Sequence, residues 1–279
     1  MRSDLLFFLK ASRPGFWLTA IWFYLLPLAQ HPVIDSFAFW LGLVFITFPL
    51  GLLIYGWNDI MDANNDRLNE RKGCWLFGPR GTDEQLRKLP WVISAVHLPF
   101  LLLFLILQGR GMLGWYFAAV AATAIYNWPR RGCKGLPLLD LVNQLGYLLV
   151  FSLSSMLNQV PELQWPALVF GALFAMHSHL LSEILDLKPD RLAGRRTTAL
   201  LIGPAPAKYL VSGLLFAEAI IVGFLLHNME IAIFFACGTL WFLVDALWVF
   251  REASYPRRFV RWSFLAWNVI VLGGLCYWN

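Results

Sequence analysis

Long apolar runs are the feature that most constrains this chain. Residues 36–57 contain no charged side chain, and residues 207–226 contain only two. A run of about 20 such residues is long enough to cross the hydrocarbon core of a bilayer as a helix. Charged residues make up 14% of the sequence, against about 25% in ordinary soluble domains. The chain is therefore predicted to be an all-α, polytopic membrane protein.

Breaks between the apolar runs divide the chain into nine predicted transmembrane helices. At about 20 residues per helix, nine helices leave room only for short loops and for no separate soluble domain. The whole chain, 1–279, is predicted to be one membrane domain, with two four-helix halves around 14–128 and 136–249 and a ninth helix. The predicted helices cover residues 14–30, 36–57, 90–108, 112–128, 136–157, 165–182, 207–226, 230–249 and 260–278.

The basic residues predict the orientation of these helices. When the loops are numbered alternately, 21 of the 22 Lys and Arg residues fall on the side of the N-terminus, and only Arg110 falls on the other. Loops rich in Lys and Arg stay in the cytoplasm. The N-terminus is therefore predicted to be cytoplasmic. The net charge of +5 is explained by this bias and indicates no nucleic-acid partner.

Two clusters of acidic side chains lie where the second and sixth predicted helices end. Their carboxylates recur at intervals of three, four or seven residues, which places them on one face of a helix. The first cluster is Asn58, Asp59, Asp62, Asp66 and Glu70, and the second is Glu183, Asp186 and Asp190. Because four predicted helices separate the clusters, both are predicted to face the cytoplasm.

Stacked carboxylates at the edge of a membrane need a compensating charge. An unpaired charge costs up to roughly 2.5–3.5 kcal/mol in apolar surroundings, and acids at helix C-termini are also disfavoured by the helix dipole. Solvation of the two clusters by water is the simpler alternative to a compensating cation. Two clusters of the same sign, spacing and side instead favour a divalent cation. Mg²⁺ binds carboxylate oxygens and usually completes its shell with water and substrate phosphate.

Basic residues accompany the acids and indicate an oxyanion in addition to a metal. Such residues follow each cluster and also occur on the loop between the fourth and fifth predicted helices. They are Arg67, Arg71 and Lys72; Arg191, Arg195 and Arg196; and, with Tyr126, Arg130, Arg131 and Lys134. A diphosphate would satisfy both the metal and these cations, although topology or lipid contact is an open alternative for each cation singly.

Four segments resemble motifs of the UbiA superfamily of intramembrane prenyltransferases. The run NDIMDANND, Asn58 to Asp66, resembles the NDxxDxxxD signature of that family. The run DLKPDRLAGRRT, Asp186 to Thr197, resembles its second aspartate-rich motif. The segment Tyr126 to Lys134 is similar to its tyrosine-basic loop, and Arg13-Pro14 to its N-terminal RP. Glu183 replaces an extra aspartate that some members carry, so its role is open.

The resemblance covers residues 10 to 278 and implies a UbiA-type bundle of nine helices. It implies transfer of an isoprenoid from a prenyl diphosphate to a lipophilic acceptor with two or more Mg²⁺ ions, at an active site that faces the cytoplasm. The implied catalytic residues and metal ligands are Asp59, Asp62, Asp66, Asp186 and Asp190; the implied substrate contacts are Asn58, Arg71, Lys72, Tyr126, Lys134, Arg195 and Arg13. The spacing of the second motif, with Tyr55-Gly56 ahead of the first, resembles the carotenoid-elongating and other non-quinone branches.

Two other functions stay open at this point. A UbiA-type terpene cyclase would use the same clusters, and a cyclic hydrocarbon formed without an acceptor would distinguish it. A transporter is disfavoured because its site would lie near mid-membrane, whereas these acids lie at the inner ends of helices.

Other polar residues within the predicted helices have simpler interpretations. His177 and His179 are two residues apart, so they cannot share a helical face and are not expected to bind one metal. Either His177 or the adjacent serine could still line a pocket. Asp140, Glu218 and Asp245 are predicted to make helix-end, inter-helix or water contacts.

Overall fold

The computed structural model describes residues 2–29, 31–129, 131–252 and 255–276, and every regular element in these ranges is a helix. The α-helices are α1 (Arg2–Ala11), α2 (Trp17–Leu25), α3 (Phe37–Gly51), α4 (Trp57–Met61), α5 (Ala63–Leu68), α6 (Asp83–Gln108), α7 (Gly111–Asn127), α8 (Leu139–Val142), α9 (Leu149–Asn158), α10 (Trp165–Leu192), α11 (Thr198–Ile202), α12 (Pro204–Ile220), α13 (Met229–Leu247) and α14 (Arg257–Cys276). The fold class predicted from the apolar runs, all-α, is therefore confirmed.

Shorter helical turns extend several of these helices. Turns of 3₁₀ type flank α2 at Pro14–Phe16 and Leu26–Leu28, and another, Asn143–Leu148, joins α8 to α9. Segments of π-helix, Leu52–Gly56 and Ile221–Leu225, continue α3 into α4 and prolong α12. Such π segments are rare and often mark functional positions, and the first of them ends directly before the first acidic cluster.

Five of the described helices are long and apolar enough to cross a membrane. They are Phe37–Met61, Asp83–Gln108, Trp165–Leu192, Pro204–Leu225 and Met229–Leu247. Helical structure is present within each of the nine predicted ranges, but the number of nine spans and the cytoplasmic N-terminus stay predictions. The last predicted helix ends at 278, outside the described residues.

Helix boundaries follow local sequence signals. Thr82 and Gln85 form a reciprocal capping box at the start of α6, which satisfies backbone donors that have no partner within the helix. The same helix ends at Gly109, where φ is 73°, a left-handed conformation that glycine adopts at little cost. Helix α7 begins at Gly111, so the Gln-Gly-Arg-Gly sequence forms the tight hairpin that the sequence predicts.

The chain folds into two compact units. The first comprises Met1–Asn127, Leu149–Glu162 and Arg257–Asn279, and the second comprises Trp128–Leu148 and Leu163–Pro256. In the first unit, the ring of Phe45 is completely buried and contacts the rings of His97 and Trp115 at centroid distances of 5.4 and 5.7 Å. These contacts hold α3, α6 and α7 together through aromatic packing.

The second unit contains a fully buried ion pair. Lys208 Nζ lies 3.0 Å from Asp245 Oδ2, and both side chains have no exposed surface. The same Nζ donates to the Arg251 carbonyl over 2.8 Å, while Asp245 accepts hydrogen bonds from the Tyr255 hydroxyl and the Phe250 amide. Lys208, which lies at the start of the predicted helix 207–226 and was counted among the cytoplasmic charges, therefore joins α12 to the end of α13. Asp245 makes an inter-helix contact, one of the three kinds predicted for it.

This buried pair makes a stability prediction. The Lys208→Met variant is expected to lose about 3–5 kcal/mol of unfolding free energy, because Asp245 would be left as an uncompensated buried charge. The matched control is Lys188→Met, since Lys188 is an exposed lysine in the same unit. Thermal unfolding of both proteins in detergent measures the difference, and equal midpoints would contradict the assignment.

Candidate active site

The first motif, Asn58 to Asp66, lies on two short helices instead of one. Helix α4 ends at Met61 and α5 begins at Ala63, because Asp62 leaves helical geometry with φ −101° and ψ 8°. The prediction of one continuous helical face is therefore wrong in detail. Asp59, Asp62 and Asp66 are nevertheless all buried, with 3%, 5% and 7% of their surface exposed.

Lys72 brings two of these carboxylates together. Its Nζ lies 2.8 Å from Asp59 Oδ1 and 2.6 Å from Asp66 Oδ2. The lysine side chain is itself only 9% exposed. A buried ammonium that bridges two buried carboxylates offsets part of the cost of removing three charges from water. The structure thus confirms that Asp59 and Asp66 converge, although the helix between them is broken.

Arg13 also binds Asp59, through both oxygens of its carboxylate. Its Nη2 and Nη1 atoms donate to Asp59 Oδ1 and Oδ2 over 2.5 and 3.1 Å, in the bidentate geometry that a guanidinium favours. The guanidinium carbon also lies 5.6 Å from the ring centre of Tyr55, in the π segment. Arg13 was predicted to contact substrate, and in the structure it orients a carboxylate of the first motif.

Burial disfavours the ionised form of one carboxylate in the first motif. It raises the pKa of Asp66 to about 7, with Lys72 acting against this shift and Asp59 adding to it. Asp66 lies outside the membrane-spanning helix, which ends at Met61. A carboxylate that ionises only with difficulty in these surroundings gains strongly from an additional positive partner.

The loop after the first motif is shaped to accept Arg13. Gly78 has a φ of 86°, and a Cβ at this position would overlap the Arg13 guanidinium. The amide of Gly73 donates to the Gly78 carbonyl over 2.7 Å and closes the loop. Sequence spacing does not reveal this contact, because a glycine in a loop is equally expected at any sharp turn.

Two further arginines contact residues of the loop that follows the first motif. The Arg71 guanidinium lies 4.7 Å from the ring centre of Phe77, a cation–π distance. Arg80 Nη2 donates to the Asn69 carbonyl over 2.7 Å. Arg71 was predicted to contact the diphosphate, and Arg80 was not singled out by the sequence analysis. Asn58, also a predicted substrate contact, is half-buried as the second residue of α4.

The second motif, Asp186 to Thr197, ends α10 in a defined turn. Gly194 adopts φ 68°, and the Arg195 amide then donates to the Asp190 carbonyl over 2.9 Å, which is the pattern of a Schellman cap. The cap directs Arg195 back along the helix, so that its Nη1 lies 3.5 Å from Asp190 Oδ1. Asp190 is 3% exposed and Asp186 is half-buried.

Glu183, whose role the sequence leaves open, supports the segment after this turn. Its Oε2 accepts a hydrogen bond from the Ala199 amide over 3.0 Å, and its Oε1 lies 3.2 Å from His179 Nε2. Asp140 accepts hydrogen bonds from the Thr198 amide and hydroxyl over 2.7 and 2.5 Å. The two acids together satisfy the amides at the start of α11, which is the helix-end role predicted for Asp140.

The remaining predicted site residues lie on α7 and the turn that follows it. Tyr126 is half-buried at the end of α7, and Lys134 is half-buried in the 3₁₀ turn Cys133–Gly135. Arg130 lies outside the described residues. The two histidines of α10 bind different partners, because His177 Nδ1 lies 2.6 Å from Glu218 Oε1 whereas His179 contacts its own helix.

The donor set of the first motif suits Mg²⁺ in the company of a phosphate. In the described part of the chain, no three His, Cys, Asp or Glu side chains form a group that could hold a metal ion by themselves. Magnesium is usually bound through one or two carboxylates plus substrate phosphates, and seldom by an all-protein cage. Buried aspartate oxygens beside Lys72 therefore fit a cation that arrives with its diphosphate.

Known proteins resemble this chain over nearly its whole length. The model of the UbiA prenyltransferase family matches residues 16–269. A lycopene elongase/hydratase of Corynebacterium glutamicum is 28% identical over 279 residues, which cover 99% of this chain and 96% of that protein. In fold the chain is similar to a UbiA homolog from Archaeoglobus fulgidus bound to DMAPP and Mg²⁺, with TM-score 0.69, 19% identity and 96% of both chains covered. A structure of a UbiA homolog from the same organism bound to GPP and Mg²⁺ gives a TM-score of 0.66 at 18% identity, covering 95% of this chain and 96% of that one.

These findings define an intramembrane enzyme with a UbiA-type fold. The chain belongs to the UbiA prenyltransferase family, as its aspartate motifs predict. It is therefore an integral membrane protein that transfers prenyl groups.

The Arg13 contact leads to a test with a matched control in the same loop. The Gly78→Ala variant is expected to unfold about 3 kcal/mol more easily than Gly73→Ala and to lose most prenyl-transfer activity, because its Cβ displaces Arg13 from buried Asp59. Gly73 also has positive φ, 98°, but a Cβ there meets nothing within 4 Å. Thermal unfolding and turnover of both variants would be compared, and equal losses would show that backbone strain alone matters.

Proposed function

We propose that this chain is a Mg²⁺-dependent prenyltransferase that moves a short prenyl group from its diphosphate to an acyclic carotenoid. The observation that carries the proposal is the buried cluster in which Arg13 and Lys72 hold Asp59 and Asp66 at the end of an apolar helix. Such a cluster has the charges and donors to bind a metal diphosphate beside a membrane-embedded substrate.

The donor residues follow from the two motifs. Asp59, Asp62 and Asp66 would hold Mg²⁺ in the first unit, and Asp186 and Asp190 would supply the same kind of donor in the second. When bound, the ion supplies positive charge that stabilises the departing diphosphate. Two or more ions suit the number of carboxylates, and we place this chemistry on the cytoplasmic side because the basic loops favour that orientation.

Protein cations complete the proposed binding of the diphosphate. Lys72 already lies between two carboxylates and can donate to a phosphate oxygen from the same position. Lys134 and Arg195 are proposed as diphosphate contacts of the second unit, whereas Arg13 keeps Asp59 oriented in the first. Prearranged charges of this kind stabilise the negative charge that develops as the carbon–oxygen bond breaks.

The acceptor is proposed from chemistry and from the relatives together. An allylic cation freed in a site without bulk water reacts with a nearby carbon–carbon double bond. A relative that matches 99% of this chain is a lycopene elongase/hydratase, which supports a lipophilic polyene as the acceptor. The homologs solved with DMAPP and GPP support an allylic diphosphate as the donor.

The aspartate assignment is testable with purified protein. Asp62→Ala and Asp190→Ala are each expected to lower transfer from labelled dimethylallyl diphosphate to lycopene by about 100-fold or more, because groups that stabilise the transition state are lost. Chromatography of the products measures transfer, and thermal unfolding confirms the fold. The control is Asp83→Ala, whose carboxylate is 76% exposed and pairs only with Arg67 on the surface. Full activity of either motif variant would refute the assignment.

A further inference from the structure

A histidine on α10 shares the face of the second motif. His179 precedes Asp186 by seven residues and Asp190 by eleven. At about 100° per residue, its side chain leaves the helix within about 20° of both aspartates. At about 1.5 Å per residue, it lies about 10 Å further along the helix than Asp186. His179 is therefore on the aspartate side of α10 but deeper in the predicted membrane span.

The neighbouring histidine has the opposite placement. His177 precedes Asp186 by nine residues, which turns its side chain about 180° away from that aspartate. Its Nδ1 lies 2.6 Å from the fully buried Glu218 on α12. This pair therefore joins two helices, as predicted for Glu218, and His177 serves as an internal comparison for His179.

A buried carboxylate orients His179. Glu183 Oε1 lies 3.2 Å from His179 Nε2, and the glutamate side chain is 5% exposed while the histidine side chain is 16% exposed. Glu183 is fixed in turn by the Ala199 amide at 3.0 Å. The contact between His179 and Glu183 is at ion-pair distance, so the Glu183 carboxylate can stabilise positive charge on the ring once a proton has been transferred to it. A partly accessible imidazole backed by a fixed, buried carboxylate has the arrangement of a general base.

We infer that His179 accepts the proton released when the prenylated acceptor forms its new double bond. This inference rests on the proposed function. The allylic carbon–oxygen bond breaks, and its electrons leave with the diphosphate. The π electrons of an acceptor double bond form the new carbon–carbon bond and leave a tertiary cation. An adjacent C–H bond then breaks, its electrons close the new double bond, and the proton passes to the imidazole of His179.

The position of His179 suits this step and no earlier one. The imidazolium that forms is stabilised by the Glu183 carboxylate and returns its proton to water when the product leaves. Diphosphate departure occurs about two to three helical turns away, at Asp186 and Asp190. His179 therefore determines whether the cation loses a proton or captures water, and the rate of diphosphate release does not depend on it.

The test is the distribution of products made by the His179→Gln variant. Purified protein in detergent receives labelled dimethylallyl diphosphate, Mg²⁺ and lycopene, and alkene and tertiary-alcohol products are separated by chromatography. Loss of a general base is expected to lower alkene formation by about 100-fold. Diphosphate release should stay near the wild-type rate, and the alcohol should become the main product. His179→Asn provides a second variant if the glutamine does not fold.

The control variant is His177→Gln. His177→Gln is expected to lower the unfolding temperature but to keep the wild-type product ratio, because its contact with Glu218 is structural. An unchanged ratio in the His179 variants would overturn the inference, as would a wild-type enzyme that makes only the alcohol. Loss of diphosphate release in a folded variant would overturn it as well, since it places His179 before the proton transfer. A wild type that transfers no prenyl group to lycopene would instead refute the proposed function, and the inference with it.

Discussion

The pairing of buried carboxylates with buried cations is the interaction on which this protein depends. An ionised aspartate at the end of an apolar helix loses its water and must find positive charge within the protein. Arg13 and Lys72 provide that charge for Asp59 and Asp66. Arg13 precedes α4 in the sequence and Lys72 follows α5. The contacts that offset the carboxylate charges therefore also hold the N-terminal segment and the loop after α5 against α4. Stability and the proposed cation site therefore depend on the same arrangement.

The second unit also pairs buried acidic side chains with basic ones at several positions. Lys208 neutralises Asp245, His177 contacts Glu218, and Arg195 lies beside Asp190. Each pair joins two helices or a helix and its following turn. Polar groups in a membrane protein thus specify which helices pack together, since apolar packing alone distinguishes poorly between lipid and protein neighbours. His177 contacts a fully buried glutamate on another helix and suits packing, whereas the chemistry proposed for His179 rests on its place on the aspartate face of α10.

Prediction from the sequence succeeded where the signal is local and periodic. The all-helical class, the break between the helices around Gly109 and the convergence of Asp59 and Asp66 follow from hydrophobic runs, glycine and carboxylate spacing. It failed at Asp62, where spacing predicts one helix and the structure has two, because the backbone of Asp62 leaves helical geometry. It also counted Lys208 among the cytoplasmic charges, since a lysine near the end of an apolar run is usually solvated. Only the position of Asp245, 37 residues later in the sequence, makes its burial possible.

The sequence by itself determined the membrane-protein class, the two aspartate motifs and the family, because apolar length and carboxylate spacing are properties of short segments. Only the tertiary structure decided that Arg13 orients Asp59, that Gly78 makes room for its guanidinium, and that Glu183 caps α11 and lies beside His179. These contacts join residues up to 65 positions apart. No periodicity records such pairs, since their geometry depends on how helices and loops pack and on which buried charges must find partners there.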